Sequence, residues 1–110
     1  MRKLSCVKYL HALADDTRIR ITRVLLDGPR CVTDIAASLS SDVGHVSYHL
    51  GILRSAGIVE EDRQGQFVYY SLAGQVRGAV SEDLRSLELG CVTLRLGEGS
   101  PGSRKDCHSE

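Results

Sequence analysis

The stretch that most constrains the fold of this chain runs from Ser41 to Val59 and reads SDVGHVSYHLGILRSAGIV. Asp42 belongs to the residue types that cap helix N-termini, and Gly57 is the residue type that ends helices in the left-handed conformation. Between these two signals the apolar residues recur at helical spacing, at Val43, Val46, Leu50 and Leu53. The pattern predicts one helix with a single buried side.

The opposite side of this helix carries short or polar residues and almost no charge: Gly44, His45, Ser47 and Tyr48. Small residues allow a close approach, and hydroxyl and imidazole groups form hydrogen bonds with base edges and phosphates. We therefore predict that this side of the helix contacts DNA. Val43 would add an apolar contact with a thymine methyl group. Because no Arg or Lys lies early in the helix, specificity is expected to depend partly on DNA shape. Arg54, near the end of the helix, is expected to serve as a cap partner or a phosphate contact.

The composition limits the chain to one soluble domain. Its 110 residues are 42% hydrophobic and 25% charged, which suffices for a modest core. The apolar runs are far shorter than the ~18 residues of a membrane span, and charged residues interrupt the N-terminal segment, which excludes a secretory signal. We therefore expect a cytoplasmic protein without membrane contact. In that reducing compartment the four cysteines, which form no C-x-x-C pair, are expected to be free thiols.

The charge balance gives little support for nucleic-acid binding. The formal net charge is zero, and residues 1–80 contain ten Lys and Arg against eight Asp and Glu, a surplus of two. A positive surface would therefore require local clustering or the pairing of two copies. The near-zero charge also leaves open an alternative from another class, a module of the same fold that binds proteins and no DNA.

Two helical segments begin the chain. The first is predicted from Lys3 to Ala14, and the second covers DDTRIRITRVLLDGP and stops at Gly28-Pro29. The second helix is expected to direct three apolar residues into the core, Ile21, Val24 and Leu25. Its three arginines are interpreted as a solvated face with an ion pair to the acidic start of the helix, and direct phosphate contact is the alternative: Arg18, Arg20 and Arg23.

A short third helix is predicted from Val32 to Leu39, because apolar residues occur there at i, i+3, i+4 and i+7. A short helix, a tight turn and a longer helix form the helix-turn-helix arrangement, in which the second helix enters the major groove and the first one braces it. The Ser41–Val59 stretch is therefore expected to supply the helix that enters the groove.

Two β-rich runs follow, Ile58 to Asp62 and Phe67 to Leu72, on either side of the turn RQGQ. A hairpin directly after such a helix is a wing. Its polar tip is expected to contact phosphates or the minor groove through Arg63, Gln64 and Gln66. The alternative is an exposed hairpin that contacts nothing.

A last helix is predicted from Gly74 to Leu89, with an apolar stripe at Val76, Val80, Leu84 and Leu87. Because this stripe has few partners within so small a domain, the first and last helices are expected to pair with a second copy in a two-fold dimer. Such a dimer would place two helices about 34 Å apart on near-palindromic DNA. The run CVTLRL is expected to form a short strand or an extension across the neighbour. Residues 1–90 are thus the expected domain, and 91–110 a tail that is disordered from about Gly97.

The order of these elements resembles the ArsR/SmtB family of bacterial winged-helix metalloregulatory repressors over most of residues 6–90. The family signature S-x-H-L-x-x-L-x-x-A-G-L/I-V is matched by SYHLGILRSAGIV, residues 47–59. The resemblance implies a mainly α fold with a small β-hairpin, a dimeric winged helix-turn-helix of order α-α-α-α-β-β-α. It also implies a homodimeric repressor of transcription that releases DNA when a metal, metalloid or other inducer binds. DNA contacts would then fall on Val43, Gly44, His45, Ser47 and Tyr48 and on the wing from Arg63 to Gln66.

The inducer is less clearly implied. Arsenic, lead and cadmium sensors of this family begin the third helix with Cys-Val-Cys-Asp-Leu, whereas this chain has CVTDI, with Cys31 kept and Thr33 at the second thiol position. Because thiophilic ions require two to four thiolates, the hypothesis is that Cys31 joins Cys91 and Cys107 to bind arsenite, cadmium or lead. Two alternatives stay open, a thiol redox switch and cysteines that are only structural. The zinc site found on the last helix of other members is absent, because residues 74–89 contain no His.

The remaining histidine pattern argues against an enzyme. The four histidines are scattered, and the sequence contains no Gly-rich phosphate loop and no nucleophile–histidine pair at motif spacing. His49 is expected to face the scaffold as a hydrogen-bonded structural residue, while a role in reading bases is the alternative.

Overall fold

The computed structural model describes residues 3–80, 86–88 and 93–96, with side chains described for residues 7–80, 95 and 96. Four helices come first, interrupted by one short strand: α1 Lys3–Leu13, α2 Asp16–Leu25, β1 Arg30–Cys31, α3 Val32–Leu39 and α4 Val43–Ser55. They are followed by β2 Val59–Gln64, β3 Phe67–Leu72, α5 Gly74–Arg77, β4 Ser86–Glu88 and β5 Thr93–Arg95. None of the helices in the described part of the chain has the length and apolarity needed to cross a membrane.

The helix boundaries follow from local capping. Asp15 adopts an extended backbone, and its carboxylate accepts a hydrogen bond from the Arg18 backbone N–H at 3.1 Å, which satisfies one of the free donors at the start of α2. Helix α3 ends where Ser40 enters the left-handed region at φ 53°, and the Ser41 N–H then donates to the Ala36 carbonyl at 2.9 Å. The predicted helix from Val32 to Leu39 is confirmed to the residue.

The wing, the hairpin of β2 and β3, supplies two strands of a three-stranded antiparallel sheet of order β1-β3-β2. The register pairs Val59 with Leu72 and Gln64 with Phe67, so the turn consists only of Gly65 and Gln66. Gly65 has φ 64° and Gln66 does not have a positive φ, as in a type II′ turn, whose twist suits a hairpin. The predicted hairpin is confirmed, but Arg63 and Gln64 belong to β2 rather than to the turn.

The third strand of this sheet was not foreseen from the sequence. Arg30 and Cys31 pair with Tyr70 and Tyr69, so the segment before α3 extends the wing sheet by two residues. The Arg30 side chain is almost fully buried, donates to the Pro29 carbonyl at 2.9 Å and lies 3.6 Å from the Asp34 carboxylate. This strand fixes the start of α3 against the wing.

The prediction of one helix from Gly74 to Leu89 is wrong. Helix α5 has only four residues and gives way at Gly78, and Ser86–Glu88 form a strand that pairs with Thr93–Arg95. Glycine within a helix costs about 1 kcal/mol relative to alanine, and the first five residues of this segment contain two, Gly74 and Gly78. Strand pairing with the following segment then outweighs the apolar spacing. Leu84 lies outside the described residues.

The strand predicted within CVTLRL is confirmed for Thr93–Arg95. Leu96 follows it and is buried in the core, and its carbonyl accepts from Arg23 Nε on α2 at 2.6 Å. The segment assigned to the tail therefore includes a residue that packs into the domain, Leu96. Residues 97–110 lie outside the described part of the chain, so their disorder stays a prediction.

The core lies between α2, α3, α4 and the inner side of the sheet. It contains, among others, Ile21, Val24, Ile35, Val46, Leu50, Leu53, Ile58, Leu72 and Val76. The predicted core positions of α2 are all buried. Helix α1 adds Ala12 and Leu13 to this core, but Val7 on its outer side stays 63% exposed.

Candidate nucleic-acid interface

Helix α4 begins and ends at the residues that the sequence indicates. The Asp42 carboxylate accepts from the His45 backbone N–H at 3.1 Å, which caps the first turn. At the other end Gly57 has φ 84°, and two backbone bonds close the helix, from Gly57 N–H to the Arg54 carbonyl and from Ile58 N–H to the Leu53 carbonyl. This pair of bonds is the Schellman arrangement, and it turns the chain directly into β2.

The two sides of α4 differ sharply in exposure. Val46, Leu50 and Leu53 are fully buried, whereas Tyr48 is 65% exposed and Val43 is 41% exposed. Every predicted contact residue of the helix is exposed: Val43, Gly44, His45, Ser47 and Tyr48. Val43 was also expected in the buried stripe, and that part of the prediction is wrong, because the first turn of α4 extends beyond the core.

Gly44 leaves room for the cap of its own helix. A Cβ at this position would lie 3.0 Å from the Asp42 carboxylate oxygen that accepts from His45. A side chain here would therefore push against the capping group. The glycine spares the capping carboxylate this close contact and leaves the first turn of α4 without a protruding side chain.

His49 connects the exposed side of α4 to the scaffold. It is buried, and its Nδ1 lies 3.1 Å from Arg18 Nη1, whose guanidinium also donates through Nε to the Ala12 carbonyl at 2.5 Å. Because Arg has no acceptor, Nδ1 accepts and the imidazole proton is on Nε2. The His49 ring also contacts the rings of His45 and Tyr48, with centroids 4.7 and 5.1 Å apart. The prediction of a hydrogen-bonded structural histidine is confirmed.

The electrostatics of this cluster favour a neutral imidazole. Burial lowers the pKa of His49 below its ordinary value, and the neighbouring His45 and Arg18 lower it further, against the opposing effect of Asp15, whose carboxylate lies 3.9 Å away. The pKa of Asp15 is lowered chiefly by the hydrogen bond from the Arg18 backbone N–H. At neutral pH a neutral His49 ring therefore lies beside the Arg18 cation and the Asp15 carboxylate.

The three arginines of α2 do not form the solvated face that the sequence suggested. Each is partly buried and donates to a carbonyl from another part of the chain: Arg18 to Ala12, Arg20 to Leu39 and Arg23 to Leu96. Arginine can bury its aliphatic stem along apolar surface and still use a charged donor at its end. The arginines flank the buried stripe of α2, and that position was the available signal for contacts with neighbouring elements.

The polar residues of the wing and Arg54 at the end of α4 were predicted to contact DNA, but most of them pair with carboxylates of β2. Arg54 Nη1 lies 3.3 Å from Glu61, Arg63 Nη2 lies 3.9 Å from the same carboxylate, and Gln64 Nε2 donates to Asp62 at 2.8 Å. Gln66, at the turn, is exposed. Sequence reasoning missed the acidic residues, although the run EED immediately before Arg63 was the available signal.

Cys31 does not match the expectation of a free thiol. It is buried and disulfide-bonded, and its sulfur lies 3.3 Å from the Thr33 hydroxyl. The side chains of Cys6, Cys91 and Cys107 lie outside the described residues. A disulfide sulfur is not a thiolate, so Cys31 in this state does not fit the predicted site for arsenite, cadmium or lead. The described residues also contain no group of three His, Cys, Asp or Glu side chains arranged to hold a metal ion.

Comparison with known proteins identifies the family. The model of the bacterial regulatory protein arsR family matches residues 15–61, which include α2, α3, α4 and the start of the wing. The arsenical resistance operon repressor of Bacillus subtilis is 36% identical over 90 residues, which is 80% of this chain and 81% of that protein. This chain belongs to the ArsR family. The expected winged helix-turn-helix fold is confirmed with it.

Further matches define the extent of the similarity. The CadC homolog of Staphylococcus aureus, a cadmium resistance transcriptional regulatory protein, is 41% identical over 63% of this chain and 58% of its own length. The chain thus spans little more than half of that relative, and about half of two others. A homodimeric winged helix-turn-helix DNA-binding domain from Mycobacterium bovis has a TM-score of 0.63 and 33% identity, covering 66% of this chain and 68% of the other.

Proposed function

We propose that this chain is a sequence-specific regulator of transcription that binds double-stranded DNA as a homodimer and represses its target promoter. The observation that carries the proposal is the exposed side of α4. Four small or polar residues of α4 face outward together with the apolar Val43, while the opposite side is fully buried and the scaffold holds the helix through His49. A rigid helix with such a face suits insertion into a major groove.

In this proposal each exposed residue has a defined role. Gly44 and Ser47 allow α4 to approach the bases closely, and His45, Ser47 and Tyr48 supply hydrogen bonds to base edges or phosphates. Val43 contacts a thymine methyl group. Arg54, Arg63 and Gln66 contact the DNA backbone beside the groove, and Gln64 assists once it leaves Asp62. Helix α3 and the arginines of α2 keep α4 in a fixed orientation.

Dimerisation through α1 is supported by an exposed apolar surface. A groove of about 340 Å³ lies between α1 and the end of α4, with Val7, His11, Ala12, Ile52 and Ala56 among its lining residues. A second copy packed on α1 would cover Val7 and would place two α4 helices for a near-palindromic site. The contribution that was predicted for the last helix does not extend to Ser86–Glu88, which form a strand.

Fluorescence anisotropy with DNA from upstream of the chain's own gene tests the proposal. We expect binding whose affinity falls steeply as salt rises from 50 to 200 mM, because counterions are released from the DNA. Ser47→Ala should weaken binding, whereas Ser38→Ala, the same change at an exposed position of α3, should not. If no fragment binds at low salt, DNA recognition is refuted, and a protein-interaction module without DNA binding becomes the better hypothesis.

A second candidate function concerns the inducer, and the disulfide at Cys31 favours it. In a thiol redox regulator, a dithiol reductant would transfer two electrons and two protons to this disulfide, which yields two thiols and leaves the reductant oxidised. Cys31 immediately precedes α3, the helix that packs against α4, so the change would occur beside the DNA-binding unit. A response to arsenite, cadmium or lead would require the reduced protein, since only thiolates bind such ions.

Measurements on one DNA fragment separate these inducers. The redox proposal predicts that the oxidised protein and the dithiol-treated protein differ in affinity by at least about 5-fold, the lower end of typical allosteric coupling. The metal proposal predicts that arsenite, cadmium or lead weakens binding of the reduced protein and leaves the oxidised protein unaffected. Equal affinity in both redox states refutes the first idea, and indifference of the reduced protein to all three ions refutes the second.

A further inference from the structure

Glu61 occupies an unusual position between α4 and the wing. Its carboxylate lies 3.3 Å from Arg54 Nη1, at the end of α4, and 3.9 Å from Arg63 Nη2, near the wing tip. Both arginine side chains are more exposed, 56% and 67%, than the glutamate side chain at 27%. One partly buried carboxylate therefore serves two outward-facing cations from different elements.

The strand geometry explains why Glu61 makes these contacts and its neighbours do not. Side chains alternate along a strand, so one side of β2 carries Val59, Glu61 and Arg63. The first of these, Val59, is buried in the core. The register sets Glu61 opposite Tyr70, whose pKa is raised by burial and then by this carboxylate. Glu60 and Asp62 lie on the other side, where Glu60 accepts from the Gly74 N–H and Asp62 accepts from Gln64.

The energetic effect of these ion pairs on folding is small. Exposed pairs contribute little to stability, because water screens them and long side chains lose freedom when they pair. Their effect on charge is larger. Without the carboxylate, Arg54 and Arg63 would present two positive charges beside the exposed side of α4, and with it they present a net charge of one.

We propose that Glu61 is a positioning residue that orients Arg54 and Arg63 and limits their sequence-independent attraction to phosphates. This inference rests on the proposed DNA-binding function. A phosphate must compete with Glu61 for each guanidinium, so DNA of any sequence gains less from the two arginines. The difference in affinity between a specific site and other DNA then depends more on the base contacts of α4.

Glu61→Gln tests this inference, with Glu60→Gln as the matched control. Both changes raise the net charge by one on adjacent residues of β2, but Glu60 contacts no cation among the described residues. For a random-sequence duplex, Glu61→Gln should steepen the slope of log affinity against log salt by ~0.9 for one additional phosphate contact. Between 50 and 200 mM salt it would therefore lose about 3.5-fold more affinity than the wild type. The ratio of promoter to random-duplex affinity should fall.

A comparison in a double-variant background separates the effect of Glu61 on the two arginines from the effect of its charge alone. In a background of Arg54→Gln and Arg63→Gln, Glu61→Gln should change the salt slope no more than Glu60→Gln does. Melting temperatures, measured for every variant, should stay close to the wild type. If Glu61→Gln and Glu60→Gln behave alike in the wild-type background, the inference is overturned while DNA binding stands. If the wild type binds neither duplex, the proposed function itself fails.

Discussion

Replacement of Arg18 by methionine is the most informative test of how the scaffold holds α4. The Arg18 guanidinium bonds the Ala12 carbonyl of α1 at 2.5 Å and Nδ1 of His49 on α4 at 3.1 Å. Methionine has a similar stem and no donor, so the variant loses both bonds and leaves two acceptors unsatisfied. Hydrogen bonds to charged groups contribute about 1.5–3 kcal/mol each. Because Arg18 is partly exposed, we expect a total loss near the lower bound of two such bonds, about 3 kcal/mol.

Urea denaturation measures this loss directly, with all variants kept in the same redox state. The midpoint should fall while the dependence on urea stays constant. In thermal unfolding the same loss corresponds to a decrease on the order of 10–20 °C for a domain of this size. Arg20→Met is the matched control, since Arg20 makes one bond of 3.3 Å to the Leu39 carbonyl, and its loss should cost about 1.5 kcal/mol, the lower end of the same range.

The pairing with His49 is tested by a double-mutant cycle. Phenylalanine at position 49 removes the acceptor and keeps a ring against His45 and Tyr48. The double variant Arg18→Met, His49→Phe should be less destabilised than the sum of the single variants by about 1 kcal/mol or more. Strict additivity, or a loss for Arg18→Met no larger than that for Arg20→Met, would show that Arg18 does not connect α1 to α4 in the way described.

Three further predictions concern the same region. Because the pKa of His49 is lowered in the folded state, the unfolded chain binds a proton at higher pH than the folded chain does. The free energy of unfolding should therefore decline as pH falls below about 6.5. In a pH series of urea titrations, His49→Phe should flatten that decline. Gly57→Ala, at φ 84°, should destabilise the domain by about 1–2 kcal/mol in the same assay, while Gly51→Ala, with open space around it, should not. Tyr48→Phe should leave the free energy of unfolding within about 0.5 kcal/mol of the wild type but weaken DNA binding, and unchanged affinity would remove its hydroxyl from the interface.

Much of the fold follows from local signals in the sequence. The start of α4 at Val43 and its end before Gly57 depend on the Asp42 side chain and on a left-handed glycine, which act over three or four residues. The bounds of α3 and the hairpin of β2 and β3 follow in the same way from apolar spacing and from a turn glycine. Such interactions are readable because their partners are neighbours in the chain.

The candidate site could be predicted only in part. The outward residues of α4 follow from helical periodicity, and the resemblance to ArsR-family sequences assigns the same positions to DNA contact. Glu61 was missed, because its contact with Arg54 depends on how the strand β2 is placed beside the end of α4. The free-thiol expectation for Cys31 was wrong, since residue spacing gives no information about which sulfurs meet.

The sequence alone therefore determined where α4 begins, where it ends and which of its sides is polar. Only the tertiary structure decided which residues hold that helix in place and which carboxylate pairs with the arginines beside its polar side. Arg18 and His49 are 31 residues apart, and Arg23 and Leu96 are 73 residues apart, so no local pattern connects them. The conformation of Ser86–Glu88 was decided likewise, since pairing with Thr93–Arg95 outweighed the helical spacing. The physical reason is that caps and turns act through neighbouring backbone groups, whereas long side chains and strand edges find partners only after the chain has packed.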